Sequence, residues 1–329
     1  MLKKSTIREI IKKIPFSVSI YHWVIETLPY LFYRKPEVLI IQGSKMYLNV
    51  WESDKNIRKT FRVYARLGIH EPITTHFIQE ILKERDIFID LGANIGYFSM
   101  LAARAVGAKG QVFSFEPEER NFKYLTRNKE LNNYSQMKPL NMAVSNKKGR
   151  VKLYICPYDT GHHTIQQAEG ITSYTTTTAL SYEANKISYI EIETITLDEF
   201  LTSEGVSRVD FIKMDVEGAE LLALQGMDKT IKRNENIKMI IEFFPLLLDK
   251  MESSPREFLR MLSEKYGFQL YEIADDYSAR KTDSSIILKK ITDREELMRN
   301  YTVDRRYHIN LFAIKTGNKD FKAIISQRS

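Results

Sequence analysis

The stretch Ile87-Phe88-Ile89-Asp90-Leu91-Gly92-Ala93-Asn94-Ile95-Gly96 constrains this chain more than any other part of it. An apolar run ends in a carboxylate, a glycine-bearing turn follows at once, and a helix-like segment rich in Ala102, Ala103 and Ala105 continues from it. Alanines on that helix are small enough for close packing on a sheet. Twenty positions after Gly96 a second apolar run closes on Phe115-Glu116-Pro117. Strand, glycine turn, helix, strand and acid form the layout of a nucleoside-binding half-domain. There the glycines let the backbone approach the ligand and the second acid takes the ribose hydroxyls.

The rest of the chain extends the same alternation. Apolar spacing predicts helices over 71–82, 96–106 and 121–131, and strands over 87–90, 111–115 and 138–144. Short β-like runs at 151–155 and 187–196 flank a polar, Thr-rich stretch, 159–183, that reads as a substrate lid. A strand over 210–215, a helix over 219–224 closed by Gly226, a strand over 237–244, a helix over 255–266 and late strands at 268–273 and 307–314 complete the pattern. Such alternation implies a doubly wound α/β fold, a mostly parallel sheet with helices on both faces. Ligands of such folds lie outside the carboxyl ends of the strands, where the winding reverses. Asp90, Glu116, Asp215 and Glu242 all fall at such ends.

The first turn has its own chemistry. Asn94 stands where a dinucleotide fold usually has its middle glycine, and no Gly-x-Gly-x-x-Gly is present. A pyrophosphate wants bare amides at a helix N-terminus. A carboxylate at the strand end suits a cationic ligand instead. S-adenosylmethionine has no phosphate and carries an ammonium and a sulfonium, which Asp90 would stabilise directly or through water.

Residues 210–220 run Asp-Phe-Ile-Lys-Met-Asp-Val-Glu-Gly-Ala-Glu, after Leu197-Asp198-Glu199-Phe200 and before Gly226. With these and the Gly-Ala-Asn-x-Gly turn, the sequence over roughly 65–245 resembles the FkbM family of S-adenosylmethionine-dependent methyltransferases. The resemblance implies a class I methyltransferase (Rossmann-like) fold: a seven-stranded, mostly parallel sheet with one antiparallel edge strand, its late hairpin from 268–273 and 307–314. It implies O-methylation of a hydroxyl on a sugar, glycan or other small molecule. By position, Asp90, Gly92, Ala93, Asn94 and Gly96 would line the methionine end. Glu116 and Pro117 would lie at the ribose, and Asn141, Ala143 and Val144 would border the adenine. Asp215, Glu217 and Glu220 would face the acceptor.

A sulfonium is already activated, so the protein mainly has to hold the nucleophile in line with the methyl, and orientation contributes on the order of 7–11 kcal/mol. The acceptor alcohol also loses a proton. Asp215 is the expected base; alternatively, Asp215 and Glu242 bind a divalent cation that lowers the alcohol pKa. Glu217 and Glu220 have a second reading as first-turn acids that favour the helix dipole. His70, His162 and His163 are the histidines placed to touch substrate, each with an ordinary structural role as its alternative.

Charge limits the partners. The formal net charge is +7. Residues 1–60 hold eleven Lys/Arg and five Asp/Glu; the remainder is nearly balanced, thirty-eight against thirty-seven. A near-neutral body disfavours nucleic acid as a partner. Residues 1–60 read as a basic amphipathic extension, with Ile7, Ile10, Ile11 and Ile14 at helical spacing and an aromatic segment at 20–33, ahead of a domain over 61–329. Such a segment suits an anionic membrane surface or docks on the domain as an extra layer. Residues 38–41 and 47–51 read as a hairpin. One cysteine, Cys156, excludes an intramolecular disulfide framework and points to a cytoplasmic protein, peripheral on the inner membrane face if the extension binds lipid. Two other function classes stay open at this point: an RNA or protein methyltransferase, and a non-catalytic member that binds a nucleoside or a partner.

Overall fold

The computed structural model describes residues 37–52, 55–154, 189–273, 286–304 and 307–326. β1 (Glu37–Ile41) and β2 (Ser44–Leu48) form the expected hairpin, closed by Gln42 and Gly43 at φ 49° and 82°. That pair of positive angles gives the turn whose twist matches the strands. Next come α1 (Lys55–Leu67), α2 (Pro72–Ile81), β3 (Ile87–Leu91), α3 (Tyr97–Val106), β4 (Gln111–Phe115), α4 (Glu119–Asn132) and β5 (Met137–Leu140). β6 (Ala143–Val144), β7 (Gly149–Tyr154), β8 (Tyr189–Ile195), α5 (Leu197–Ser203), β9 (Phe211–Met214), α6 (Glu220–Gln225) and α7 (Asp228–Arg233) follow. β10 (Lys238–Phe243), α8 (Pro245–Lys250), α9 (Pro255–Arg260), β11 (Phe268–Ile273), β12 (Leu288–Lys290), α10 (Arg294–Val303), β13 (Ile309–Lys315) and α11 (Phe321–Ile325) end the described chain.

The main sheet has the order β12-β11-β13-β10-β9-β3-β4-β5. Strands β5, β4, β3, β9 and β10 run parallel, and β13 is antiparallel to both β10 and β11. This is the doubly wound α/β architecture expected of a class I methyltransferase, with two differences from the expectation in detail. The sheet has eight strands rather than seven, because Leu288–Lys290 adds an antiparallel edge beside β11. The reversed strand β13 lies inside the sheet, not at its edge. From β3 the chain winds outward through β4 and β5, then crosses back to β9 and β10. The winding therefore reverses between β3 and β9, and the acids at strand ends gather around that point.

Three other expectations are corrected. Residues 138–144 are not one strand: β5 ends the main sheet, and β6 joins a separate sheet of order β6-β8-β7. The side-chain amide of Asn141 donates to the carbonyls of Glu116 and Pro117 at 2.9 and 3.0 Å, which turns the chain out of the sheet. The helix over 255–266 is α-helical only to Arg260 and widens to a π-helix over Met261–Lys265. The boundary after residue 60 falls inside α1, so the hairpin and α1 belong to the body of the domain.

The central strands are buried on both faces, as parallel strands covered by helices require. Ile89, Ile212 and Ile241 point into one core with α5, α6 and α9. Phe88, Phe211, Ile240 and Phe312 point into the other with α1, α2, α3 and the hairpin. Phe88 and Phe211, direct neighbours in register, stack at 5.5 Å. Two residues along, the same face carries Asp90 and Lys213, also paired in register. An apolar face thus turns polar at its carboxyl end.

Candidate active site

The glycine turn leaves β3 in a shape its residues dictate. Gly92 has φ 81°, and a Cβ there would lie 1.8 Å from the carbonyl oxygen of Asp215, so only glycine fits. The turns after β3 and β9 therefore touch through their backbones. The amides of Gly92 and Ala93 donate to the Phe115 carbonyl at 3.0 and 2.9 Å, tying the turn to β4. Asn94 takes φ 50°, a conformation that asparagine tolerates better than most residues. Gly96 is the N-cap of α3.

Asp90 is 1 % exposed, and Ser99 donates to its Oδ2 at 2.5 Å. Its Oδ1 is buried with no hydrogen-bond partner among the described residues. Burial pushes the carboxyl above the usual aspartate range, against the pull of Lys213. An orphaned acceptor at this strand end fits a ligand that brings a donor or a positive charge.

Glu116 is also buried. Its two oxygens accept the amides of Asn94 at 2.7 Å and Glu118 at 2.9 Å, so the acid braces the turn as well as facing the site. Burial raises its pKa to about 8 against those two hydrogen bonds. Glu118 in turn caps α4 through the Asn121 amide. Asn141, half-buried Ala143 and buried Val144 follow β5 on the same side of the sheet, and Asn141 is bonded to the chain on either side of Pro117.

Across the winding reversal the polar row continues. Lys213 is 4 % exposed; its Nζ donates to Asp215 Oδ2 at 2.9 Å and lies 4.7 Å from the Phe98 ring centroid. Burial alone would lower this lysine, but the carboxylates of Asp215, Glu71 and Asp90 outweigh it and hold the ammonium charged. Asp215 shows the reciprocal effect. Burial would raise it, yet the field and hydrogen bond of the Lys213 ammonium, with its side-chain contact to Glu242, hold it below the usual aspartate range. Such a carboxylate is a weak base.

Asp215, Glu217 and Glu242 bring one carboxylate oxygen each within 4.8 Å of one another. The sequence anticipates Asp215 and Glu242 at such a site, and the geometry adds Glu217, which holds a left-handed φ of 54°. An oxygen-only set of this kind suits a hard divalent cation, although the Lys213 ammonium already supplies positive charge to Asp215. Glu220 stands apart from the acceptor-facing role expected of it. It is 2 % exposed, and its Oε1 accepts the amides of Val216 and Gly218, both at 3.2 Å, so it clamps the turn that carries Glu217. Burial raises it to about 7.

Sequence reading overlooked two members of this row. Lys213 was only a letter inside a motif, although a lysine in an otherwise apolar central strand is itself a signal. Glu71 was read as the start of a helix. It is in fact the N-cap of α2, at φ 41° and ψ 74°, with its carboxylate 3.2 Å from His70 Nε2. His162, His163, the lid over 159–183, Cys156 and the segment before residue 37 lie outside the described residues.

Residues 90–270 match the family model described as the methyltransferase FkbM domain. The hexuronic acid methyltransferase AglP of Haloferax volcanii is 24% identical over 232 residues, 70% of this chain and 81% of that protein. The 2-O-methyltransferase NoeI of Sinorhizobium fredii is 24% identical over 188 residues, 55% of this chain and 75% of that protein. Among solved structures, a methyltransferase FkbM from Methylobacillus flagellatus aligns with 80% of this chain and 55% of its own, at a TM-score of 0.38 and 16% identity.

Proposed function

The chain belongs to the FkbM methyltransferase family, and from that premise we propose that it transfers a methyl group from S-adenosylmethionine to a hydroxyl of a sugar, glycan or other small molecule. The observation that carries this reading is the polar row at the point where the winding reverses. Asp90 with its orphaned oxygen, the Gly92–Gly96 turn and Glu116 lie on one side, and Asp215, Glu217 and Glu242 on the other. One relative named for a hexuronic acid acceptor and another named as a 2-O-methyltransferase agree with it.

S-adenosylmethionine brings a methyl group already activated by a sulfonium. The protein's task is then placement. Asp90 would receive the ammonium of the methionine end, with Gly92, Ala93, Asn94 and Gly96 giving it backbone room. Glu116 would accept from the ribose hydroxyls, beside Pro117. Asn141, Ala143 and Val144 would border the adenine. Asp215, Glu217 and Glu242 would accept hydrogen bonds from the acceptor's hydroxyls. If a divalent cation takes part, these same three carboxylates would hold it, and it would lower the pKa of the bound alcohol.

Calorimetric titration with S-adenosylhomocysteine, with NADH as the control, tests the cofactor assignment. Binding that disappears in Asp90→Ala and in Glu116→Ala supports it. A folded protein that binds NADH and not S-adenosylhomocysteine removes it. Transfer of labelled methyl groups to a panel of glycosides then finds the acceptor.

A specific surface favours peripheral membrane attachment as part of this reading. α1 carries five Lys/Arg and no acid. Trp51 is exposed with the Arg62 guanidinium of that helix 5.3 Å from its ring centroid, and Val38 and Ile40 on β1 are exposed large apolar residues as well, Ile40 opposite Lys45 in register. Exposed apolar side chains in a basic part of the chain suit anionic lipid. No described helix is long and apolar enough to cross a membrane. Flotation with anionic vesicles, weakened by salt and by Ile40→Asp, is the expected result; equal flotation with zwitterionic vesicles would contradict it.

A further inference from the structure

The acceptor hydroxyl must give up a proton, and the carboxylate nearest to hand is already engaged: Asp215 Oδ2 holds the Lys213 ammonium at 2.9 Å. A different group in the same row is better prepared. His70 is half-exposed, and its Nε2 lies 3.2 Å from Glu71 Oε1. Its ring packs against Tyr64 at 5.4 Å, edge-on to Tyr97 at 5.6 Å, and against Phe98 at 5.9 Å. Its backbone carbonyl accepts from Thr75 Oγ1 at 2.5 Å, and that hydroxyl also meets the Tyr97 hydroxyl at 3.1 Å. An exposed imidazole seldom has both its ring and its backbone fixed in this way.

Glu71 is fixed as firmly. Asn310 Nδ2 approaches its Oε2 at 3.5 Å and also donates to Thr74 Oγ1 at 3.2 Å. Its left-handed backbone is a strained conformation for a non-glycine residue, and such strain gathers where function needs a side chain aimed. The charged groups facing this pair are Lys213, from β9, and Asp215, which follows it; against its burial, the charge and hydrogen bond of His70 and then the field of Lys213 hold Glu71 below the usual glutamate range. The phenols of Tyr64 on α1 and Tyr97 on α3 complete the surroundings. A carboxylate on one ring nitrogen fixes the tautomer and leaves the other nitrogen as the proton acceptor.

We propose that His70, oriented by Glu71, is the catalytic residue that takes the proton of the acceptor hydroxyl. The proposal rests on the methyltransferase reading above. The hydroxyl proton passes to His70 Nδ1, and the oxygen lone pair forms the bond to the methyl carbon. The carbon–sulfur bond breaks with its electron pair going to sulfur. The products are a methyl ether, a neutral thioether and an imidazolium, whose charge the Glu71 carboxylate offsets. Asp215, Glu217 and Glu242 then orient the acceptor and do not receive the proton.

The test uses the full chain, with nitrogen-labelled histidine and S-adenosylhomocysteine bound. The six histidines allow His70 to be assigned by the signal lost in His70→Gln. The expected spectrum shows the Nε2–H tautomer at neutral pH, with the preference lost in Glu71→Gln. An Nδ1–H tautomer, or a spectrum indifferent to Glu71→Gln, would overturn the proposal. On any glycoside that accepts methyl groups, His70→Gln is expected to lower kcat by ~10²–10⁴-fold and to abolish the acid limb of the pH–rate profile. Affinity for S-adenosylhomocysteine should be unchanged. A His70→Gln protein with the kcat and pH profile of the parent would equally overturn it. Failure of the parent protein to bind S-adenosylhomocysteine would strike the methyltransferase reading instead, so the two failures are distinguishable.

Discussion

Lys213 is the residue on which the electrostatics of the cleft turn. Its buried ammonium offsets buried Asp90 and the partly buried Asp215 and Glu71. Removing one partner of a buried ion pair typically costs ~3–5 kcal/mol, because the other charge stays behind. Lys213→Met is therefore expected to lose about that much stability in urea unfolding at neutral pH. In the parent, Asp215 has a depressed pKa, so its contribution is present above the pKa of an unfolded aspartate and lost as pH falls through the folded value. Without the ammonium the same carboxyl is easier to protonate when folded, and the deficit of the variant shrinks toward acid pH. A deficit that grows toward acid would refute this account. Glu116 gives the opposite sign. Its folded pKa is raised to about 8, so its contribution to stability is present at acid pH and lost as pH rises toward that value. In the proposed complex the ribose hydroxyls would donate to its ionised form. S-adenosylhomocysteine binding below that pH should release a proton and tighten as pH rises, by at most ~10-fold per pH unit for one linked proton. Calorimetry in two buffers of different ionisation enthalpy reads the release directly, and Glu116→Gln should abolish it. The positions of Asp90, Glu116, Asp215 and Glu242 were legible because apolar runs end on them. The pairing of His70 with Glu71 was not, since nothing in local spacing reports a left-handed N-cap.

At the scale of elements, the site depends on two strand-end turns held in backbone contact. Gly92→Ala puts a methyl group onto the Asp215 carbonyl and demands a positive φ of an L-residue. Overpacking of this kind costs ~1–3 kcal/mol or more, and here the strain falls on both turns. The variant is expected to show a lower urea midpoint together with loss of S-adenosylhomocysteine binding. A stable variant that binds normally would mean that the turns can separate. Gly226 plays a matching part lower in the domain, where a Cβ would lie 2.0 Å from the Ser145 carbonyl and push β6 away from α6. The alternation of strands and helices was readable because buried parallel strands are continuous apolar runs and the helices between them are amphipathic. The break at Asn141 was not readable. Leu140, Met142, Ala143 and Val144 read as one apolar run across Asn141, whose side-chain amide bonds the sequence-distant carbonyls of Glu116 and Pro117, 2.9 and 3.0 Å away, where the chain turns. α1 escaped notice for a related reason: with five Lys/Arg among its thirteen residues, it buries only a narrow stripe that includes Ile57, Phe61 and Tyr64.

At the scale of the whole molecule, the hairpin and the glycine turn are one unit. Asn128 on α4 donates to the Ile95 carbonyl at 2.9 Å and accepts the Tyr47 amide at 2.8 Å, so one side chain fastens β2 to the turn after β3. Ile41, Met46, Leu48 and Val50 are buried in the core shared with α3. A chain beginning at residue 53 loses all four, at ~1.5–3 kcal/mol each as an upper bound. It is expected to melt well below a chain beginning at residue 37, or not to fold; equal melting temperatures by calorimetry would show that the hairpin is dispensable. The order of the main sheet has a consequence of another kind. β13 fills the slot between β10 and β11, although it is made some forty residues after β11. During synthesis, then, Phe268–Ile273 emerges from the ribosome before the strand that must separate it from β10 exists. Until residue 315 is free, Leu270 and Tyr271 have no permanent neighbour on that side, and β10 presents an open apolar edge of the sort that attracts other nascent chains. The half that carries Asp90 and Glu116 can assemble early, whereas the half where Glu242 pairs with Asn310 waits for the last described strand to be translated. The dependence of this protein on cellular chaperones should be concentrated in that interval.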